Sequence, residues 1–69
     1  MKEVRISEQK SIVIQKKKYK GNVVLDIRTF LDIKDGFKGY TKKGINIPAE
    51  KGLELLSALR EVLDEKIKE

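Results

Sequence analysis

The densest cluster of side chains that could bind a ligand is a lysine run with one aromatic residue inside it, Lys16-Lys17-Lys18-Tyr19-Lys20. Lysine ammonium groups neutralise phosphates and release counterions, and an aromatic ring offers a face on which a base can stack. A second basic set, also interleaved with aromatic residues, consists of Lys34, Phe37, Lys38, Tyr40, Lys42 and Lys43. Together the two sets indicate nucleic-acid binding. The alternative interpretation is a solvated lysine surface with aromatics in a minor core contact.

The residue sets that most enzymes and metal sites need are missing from this sequence. It contains no histidine and no cysteine, which removes the usual general base near neutral pH, the commonest metal ligand and any disulfide. Ser7, Ser11 and Ser57 have no evident base beside them. Asp26 is expected to pair with Arg28, two residues along the same strand face, rather than to act as an acid or base. We therefore expect a binding protein without catalytic activity, cofactor or metal.

Charge is distributed unevenly along the 69 residues, whose net charge is +5. Residues 1–44 hold twelve Lys/Arg against five Asp/Glu, whereas residues 45–69 hold four against six.

We expect one domain spanning residues 1–69. A chain of this length buries only about 60% of its unfolded surface, so its hydrophobic core is small. Without disulfides or metals, oligomerisation is the remaining source of additional stability. No apolar run reaches the ~20 residues of a membrane span, so a soluble, intracellular protein without a membrane partner is expected.

The elements that position these lysines form a predicted antiparallel meander of three to four strands. The pattern predicts strands over Ile12–Tyr19, Val23–Leu31 and Tyr40–Ile47, with a short optional strand around Val4–Ile6. Lys20-Gly21-Asn22 predicts a hairpin turn between the first two, and Asp35-Gly36 predicts another turn.

Alternation along these strands sorts their side chains onto two faces. In the second strand, Val24, Asp26, Arg28 and Phe30 are expected on one face, and Val23, Leu25, Ile27, Thr29 and Leu31 on the other. In the preceding strand, Lys17 and Tyr19 are expected to point opposite to Lys16, Lys18 and Lys20. The aromatic ring is thus predicted to share its face with one lysine of the run.

From Pro48 to about Lys68 the apolar spacing becomes helical, and Asp64 and Lys68 form a favourable outward pair. Gly52 disfavours a helix, so it indicates either that another part of the chain approaches the helix closely there or that the helix simply tolerates a glycine. The apolar stripe consists of Leu55, Leu56, Leu59, Val62, Leu63 and Ile67. It is wide, so we expect one edge to pack on the chain's own sheet and the other on a second copy. The candidate dimer residues are Leu55, Leu59, Val62 and Leu63. The alternative is that the whole stripe serves the monomer core.

Two motifs in this order resemble the transcriptional coactivator p15 (positive cofactor 4, PC4) family. The first is the strand Lys20–Phe30, with its Asp-Ile-Arg-x-aromatic sequence, and the second is Lys42–Ile47, which contains Lys-Gly-Ile and precedes the terminal helix. The resemblance covers about residues 12–67.

The resemblance implies a four-stranded antiparallel sheet with one helix, dimerised through helices and sheet surfaces, that presents basic channels to single-stranded or melted DNA. It places Tyr19 where the family has a base-stacking aromatic. Lys17, Arg28 and Lys43 match basic positions that contact the DNA backbone, and Lys42 matches a further basic position.

The sequence departs from the family pattern at three points. The tryptophan that often follows the Asp-Ile-Arg motif is replaced by Phe30-Leu31, which leaves Phe30, Phe37 or Tyr40 as candidate replacements. Where the family has a basic residue after the hairpin glycine, this sequence has Asn22. The long Ser/Lys-rich regulatory region of eukaryotic members is absent, so their activator-dependent coactivation is not implied, and the chain resembles a compact prokaryotic or viral member.

The resulting prediction is an α+β, homodimeric, PC4-like protein that binds single-stranded DNA largely without sequence preference. The predicted nucleic-acid-binding residues are Lys16, Lys17, Lys18, Tyr19, Lys20, Arg28, Lys42 and Lys43. RNA is an alternative ligand, and the transcription machinery is a candidate partner. The expected role is in transcription, replication or repair, in the cytoplasm at the nucleoid in a prokaryote or in the nucleus of a eukaryote. The alternatives are a module that recruits acidic protein partners and a binder of duplex DNA or RNA.

Overall fold

The computed structural model describes residues 1–67, which form four antiparallel strands in one open sheet followed by one helix. The strands are β1 (Lys2–Arg5), β2 (Lys10–Tyr19), β3 (Asn22–Asp32) and β4 (Lys38–Pro48), and they lie side by side in chain order. A 3-10 turn, Ala49–Lys51, leads into helix α1 (Gly52–Asp64). The predicted meander and helix are confirmed, and the optional early strand is present as β1.

The β2–β3 hairpin turns within two residues, as its glycine predicts. Lys20 has a φ of 51° and Gly21 a φ of 83°, so both occupy the left-handed region that a type I′ turn requires. Tyr19 pairs directly with Asn22 across this turn, and the register then continues without a break along the whole of β2. The tight turn therefore fixes which side chains of the two strands share a face.

The β3–β4 hairpin is less regular. Its turn contains the predicted Asp35-Gly36 sequence, and Asp35 has a φ of 60°, a conformation that aspartate tolerates better than most residues. Beyond the turn, the ladder is interrupted by a register shift between Arg28 and Phe30 of β3. Residues 41–43 of β4 consequently bulge opposite a single residue of β3.

The sheet has two chemically different faces. The Asp26 face carries Val13, Gln15, Lys17 and Tyr19 of β2 and Val24, Asp26, Arg28 and Phe30 of β3; the Leu25 face carries Ile12, Ile14, Lys16 and Lys18 of β2 and Val23, Leu25, Ile27 and Leu31 of β3. This confirms the predicted alternation. The buried residues Ser11, Val13 and Asp26 all belong to the Asp26 face. Side chains from the two outer edges also approach each other, since the Tyr40 hydroxyl lies 4.0 Å from Met1 Sδ, so the sheet curls toward this face.

Helix α1 is shorter than predicted. It begins at Gly52, after the 3-10 turn, and ends at Asp64, because Glu65 is already extended with a ψ of 144°. Its last turn contains no basic residue, and the carboxylates of Asp64 and Glu65 lie at the negative end of the helix dipole, which disfavours continuation. Lys66 therefore lies beyond the helix. The predicted Asp64–Lys68 pair falls outside the described residues.

The expectation that α1 packs on its own sheet is wrong. The helix contains no buried residue, and the described chain has a radius of gyration of 14.5 Å, against about 11 Å for a compact domain of this length. Contact is made at the start of the helix, where a Cβ on Gly52 would lie 3.0 Å from Leu25 Cδ1. The close approach expected at Gly52 is thus present. From that point the helix extends away from the sheet, and no helix within residues 1–67 has the length and apolar character to cross a membrane.

Candidate nucleic-acid interface

A fully buried carboxylate organises the centre of the Asp26 face. Asp26 is 1% exposed, and its Oδ1 accepts a 3.0 Å hydrogen bond from Arg28 Nη2. Arg28 Nε and Gln15 Nε2 each donate to Asp26 Oδ2 at 3.4 Å, and Lys17 Nζ lies 3.7 Å from the same oxygen. The predicted Asp26–Arg28 pair is confirmed. Because both carboxylate oxygens have partners, the buried charge is compensated within the chain.

This arrangement shifts the titration of both members of the pair. The hydrogen bond from Arg28 holds the pKa of Asp26 below its usual range, against the opposing effect of burial. The same hydrogen bond raises the pKa of Arg28. At neutral pH both groups are therefore charged, so Asp26 acts as a fixed anion beneath the basic side chains rather than as a proton donor or acceptor.

The Arg28 side chain is also anchored to β4. Its Nη1 donates to the Thr41 carbonyl oxygen at 3.2 Å, so most of its N–H groups are engaged within the chain. Gly44 lies directly opposite Arg28, and a Cβ there would come within 2.9 Å of the Ile27 carbonyl oxygen and 3.3 Å of Arg28 Cγ. The Lys-Gly-Ile motif thus contains a glycine because the backbone of β3 approaches that position too closely for a side chain.

Tyr19 presents an exposed aromatic surface at the hairpin end of the Asp26 face. The residue is 62% exposed, and Lys20 Nζ lies 5.4 Å from its ring centroid, within cation–π range. Two grooves adjoin it. One, of about 650 Å³, is also lined by Asn22 and Pro48, and the other, of about 420 Å³, is also lined by Lys17. A planar group therefore has room beside the ring, with ammonium groups close by.

The predicted binding residues are not all brought to one surface. Lys17, Tyr19 and Arg28 share the Asp26 face, and Lys20 stands in the adjoining turn. Lys42 and Lys43 are exposed in the bulged part of β4, next to Arg28. Lys16 and Lys18, by contrast, point to the apolar Leu25 face.

Two contributors were missed at the sequence level. Gln15 donates to Asp26 from the neighbouring strand, and the Thr41 carbonyl fixes Arg28. Gln15 could have been found, since a two-residue turn after Tyr19 places it directly opposite Asp26 by counting back along both strands. Thr41 could not, because its position depends on the bulge in β4.

Three of the four candidate dimer residues of the helix are left exposed by the fold. Leu59, Val62 and Leu63 are 54%, 62% and 82% exposed, and Leu55 is half-buried near the start of the helix. Leu53 and Leu56 are also exposed, at 78% and 60%. An apolar surface of this extent on one short helix is unusual for a monomer.

The architecture described above, an open four-stranded antiparallel sheet followed by one helix, defines a class of small α+β proteins. The family model of the Transcriptional Coactivator p15 (PC4) matches residues 5–62, which is most of the chain. The chain belongs to this family of nucleic-acid-binding proteins, as the two motifs predicted.

Solved structures agree with this assignment. A PC4 homolog from Burkholderia pseudomallei, in its orthorhombic crystal form, is similar with a TM-score of 0.83 and 26% identity, over 96% of this chain and 89% of that chain. The tetragonal form of the same homolog gives a TM-score of 0.75 and 26% identity, over 90% of this chain and 91% of that one. A search of the curated proteins finds no match.

Proposed function

We propose that this protein binds single-stranded DNA, largely without sequence preference, along its Asp26 face. Phosphates would contact Lys17, Lys20 and the lysines of the β4 bulge, and a base would stack on Tyr19. Arg28 would contribute mainly by holding the surface in shape, with its remaining N–H groups available to a phosphate. The protein would act on exposed single strands in transcription, replication or repair, wherever the cell keeps its DNA.

The observation that carries this proposal is the setting of Tyr19. A half-buried aromatic would be explained by packing, but this ring is 62% exposed, adjoins two grooves and has an ammonium group 5.4 Å from its centroid. Exposed rings beside lysines suit the splayed bases of a single strand, whereas duplex recognition relies on grooves whose bases are already stacked.

The direct test is a competition experiment at several salt concentrations. A labelled single strand is bound, and unlabelled single-stranded DNA, duplex DNA and RNA of the same sequence are added as competitors. We expect single strands to compete best and affinity to fall steeply with salt. Equal competition by the duplex would instead favour a duplex binder, and absence of salt dependence would contradict phosphate contacts.

Replacing the stacking ring is the matched mutational test. Tyr19→Ala should weaken binding by about 1–3 kcal/mol, the range for one base stacked on an aromatic residue, while Tyr19→Phe should retain most of the affinity. Anisotropy titrations measure both. Equal affinity of the alanine variant and the wild type would show that Tyr19 is not a stacking residue. Retained binding to an acidic protein partner, with no DNA binding, would favour a recruitment module.

We further propose that the protein acts as a homodimer joined through α1 and the Leu25 face. The helix starts over this face, where Gly52 approaches Leu25, and both surfaces are apolar and incompletely covered. On the Leu25 face, Val23 and Ile45 are 44% and 51% exposed. A second copy is the partner that offers a matching apolar surface, and covering both would leave the two Asp26 faces free.

A further inference from the structure

A second exposed aromatic lies on the Asp26 face, far from Tyr19. Tyr40 of β4 is 48% exposed, and it pairs directly with Phe30 of β3 in the sheet. The two rings meet edge to face, with centroids 5.2 Å apart and an interplanar angle of 76°. This is a favourable arrangement for an aromatic pair, so Phe30 fixes the Tyr40 ring while leaving part of it open to solvent.

The two tyrosines stand at opposite ends of the same face. Tyr19 lies opposite Asn22 at the start of β3, and Phe30 follows eight residues later, which corresponds to about 26 Å along a strand. The basic side chains of Lys17 and Arg28 lie in the interval. A strand stacked on Tyr19 and running along the face would meet phosphate-binding groups first and then Tyr40.

Other candidates for a second aromatic contact are less well placed. Phe30 is partly buried, and its ring is engaged with that of Tyr40. Phe37 is exposed but lies in the β3–β4 turn, outside the strands that form the face. Tyr40 combines exposure, a fixed ring and the correct face. Its hydroxyl has just a weak thioether contact, to Met1 Sδ at 4.0 Å, among the described residues.

We propose that Tyr40, held by Phe30, is a second base-stacking site, so that each protomer binds one strand at two aromatic positions separated by about 26 Å along the strand direction of the sheet. This inference rests on the proposed single-strand binding. Its consequence is a length requirement. Strands long enough to reach both rings gain the second stack, and shorter strands use one ring at a time.

The composition of the chain provides a direct test. It contains two tyrosines and no tryptophan, so in a Tyr19→Phe variant the tyrosine fluorescence comes from Tyr40 alone, while a ring remains at position 19. Titration with oligothymidine should quench this fluorescence along the same curve as the anisotropy of a labelled strand. The reciprocal Tyr40→Phe variant reports Tyr19 in the same way and serves as the matched control.

Affinity measurements give an independent readout. Tyr40→Leu keeps an apolar side chain against Phe30 but removes the ring, and circular dichroism melting checks that the fold is retained. We expect this variant to bind long oligothymidine about 5- to 150-fold more weakly, the scale of one stack, and an oligonucleotide too short to reach both rings nearly as well as wild type. The Tyr40→Phe variant should restore long-strand affinity.

The outcomes separate the two proposals. If strands bind but the fluorescence of Tyr40 stays constant and Tyr40→Leu matches the wild type at every length, the second site is wrong and single-strand binding stands. If the wild-type protein does not bind single strands at all, the proposed function fails, and this inference fails with it.

Discussion

The sheet and the helix of this protein differ in whether their side chains find partners within the chain. On the Asp26 face, a carboxylate that is 1% exposed has all its partners within the chain, namely Arg28, Gln15 and Lys17. Helix α1 has no buried residue, and leucines such as Leu59 and Leu63 stay exposed. The polar groups of the first region are satisfied within a single chain, whereas the helix presents an apolar surface that nothing within residues 1–67 covers.

This difference indicates a division of roles. A face whose polar groups are already satisfied keeps its shape alone, and it can present fixed basic and aromatic groups to a ligand without first reorganising. An exposed apolar helix gains free energy only when another surface covers it. We therefore expect substitutions on the helix to act through assembly, and substitutions on the Asp26 face to act through stability and DNA affinity.

The largest expected effect is that of breaking the helix surface. Leu59→Glu places a charge on the apolar stripe of each copy, and losing two buried leucines should cost about 3 kcal/mol or more of dimerisation free energy. Sedimentation equilibrium should show a dimer for the wild type and a monomer for the variant.

The matched control introduces the same residue on the other side of the helix. Ser57 is exposed and lies about 200° around the helix from Leu59, so Ser57→Glu should leave the dimer intact. A dimeric Leu59→Glu variant, or a wild type that sediments as a monomer, would contradict the proposed role of the helix.

The next effect tests the closed network on the sheet. Asp26→Asn keeps the size of the side chain but removes the anion beneath Arg28, and we expect it to lower the free energy of unfolding by about 2–3 kcal/mol. It should also weaken DNA binding, although the chain becomes more positive, because Arg28 and Lys17 lose their anchor. Glu8→Gln makes the same charge change at an exposed residue and should not weaken binding. Tighter binding by Asp26→Asn would show that net charge outweighs positioning.

The same carboxylate predicts an acid limit to stability. Since the pKa of Asp26 is lowered in the folded protein, its contribution is present above about pH 4, the usual range of an aspartate, and is lost as the pH falls through the lowered value. Thermal melts of the wild type should therefore shift to lower temperature on acidification below pH ~4. The Asp26→Asn variant lacks this contribution, so its melting temperature should change less over that interval, and parallel curves would argue against the assignment.

The smallest effect distinguishes the two faces. Lys17 and Lys18 are neighbours with the same charge, but Lys17 belongs to the Asp26 face and Lys18 to the Leu25 face. Lys17→Ala should weaken single-strand binding a few-fold, on the order of 1 kcal/mol, and reduce the salt-dependence slope by about 1, as for one lost phosphate contact. Lys18→Ala should change both less. A larger loss for Lys18→Ala would place the DNA on the other face.

The sequence by itself determined the strand pattern, both turns and the pairing of Asp26 with Arg28. These features are local. Alternation has a period of two, the glycine after Lys20 permits a two-residue turn, and residues 26 and 28 share a face in any strand. The motifs around Arg28 and Gly44 were also sufficient to recognise the PC4 family.

The tertiary structure decided the features that depend on distant parts of the chain. The bulge in β4 brings the Thr41 carbonyl to Arg28, and no local signal specifies it. The pairing of Phe30 with Tyr40 likewise follows from register across a long turn. Sequence periodicity showed that the helix has an apolar stripe but not what covers it, because the direction of the helix depends on how the chain leaves β4. The structure turns that stripe away from its own sheet.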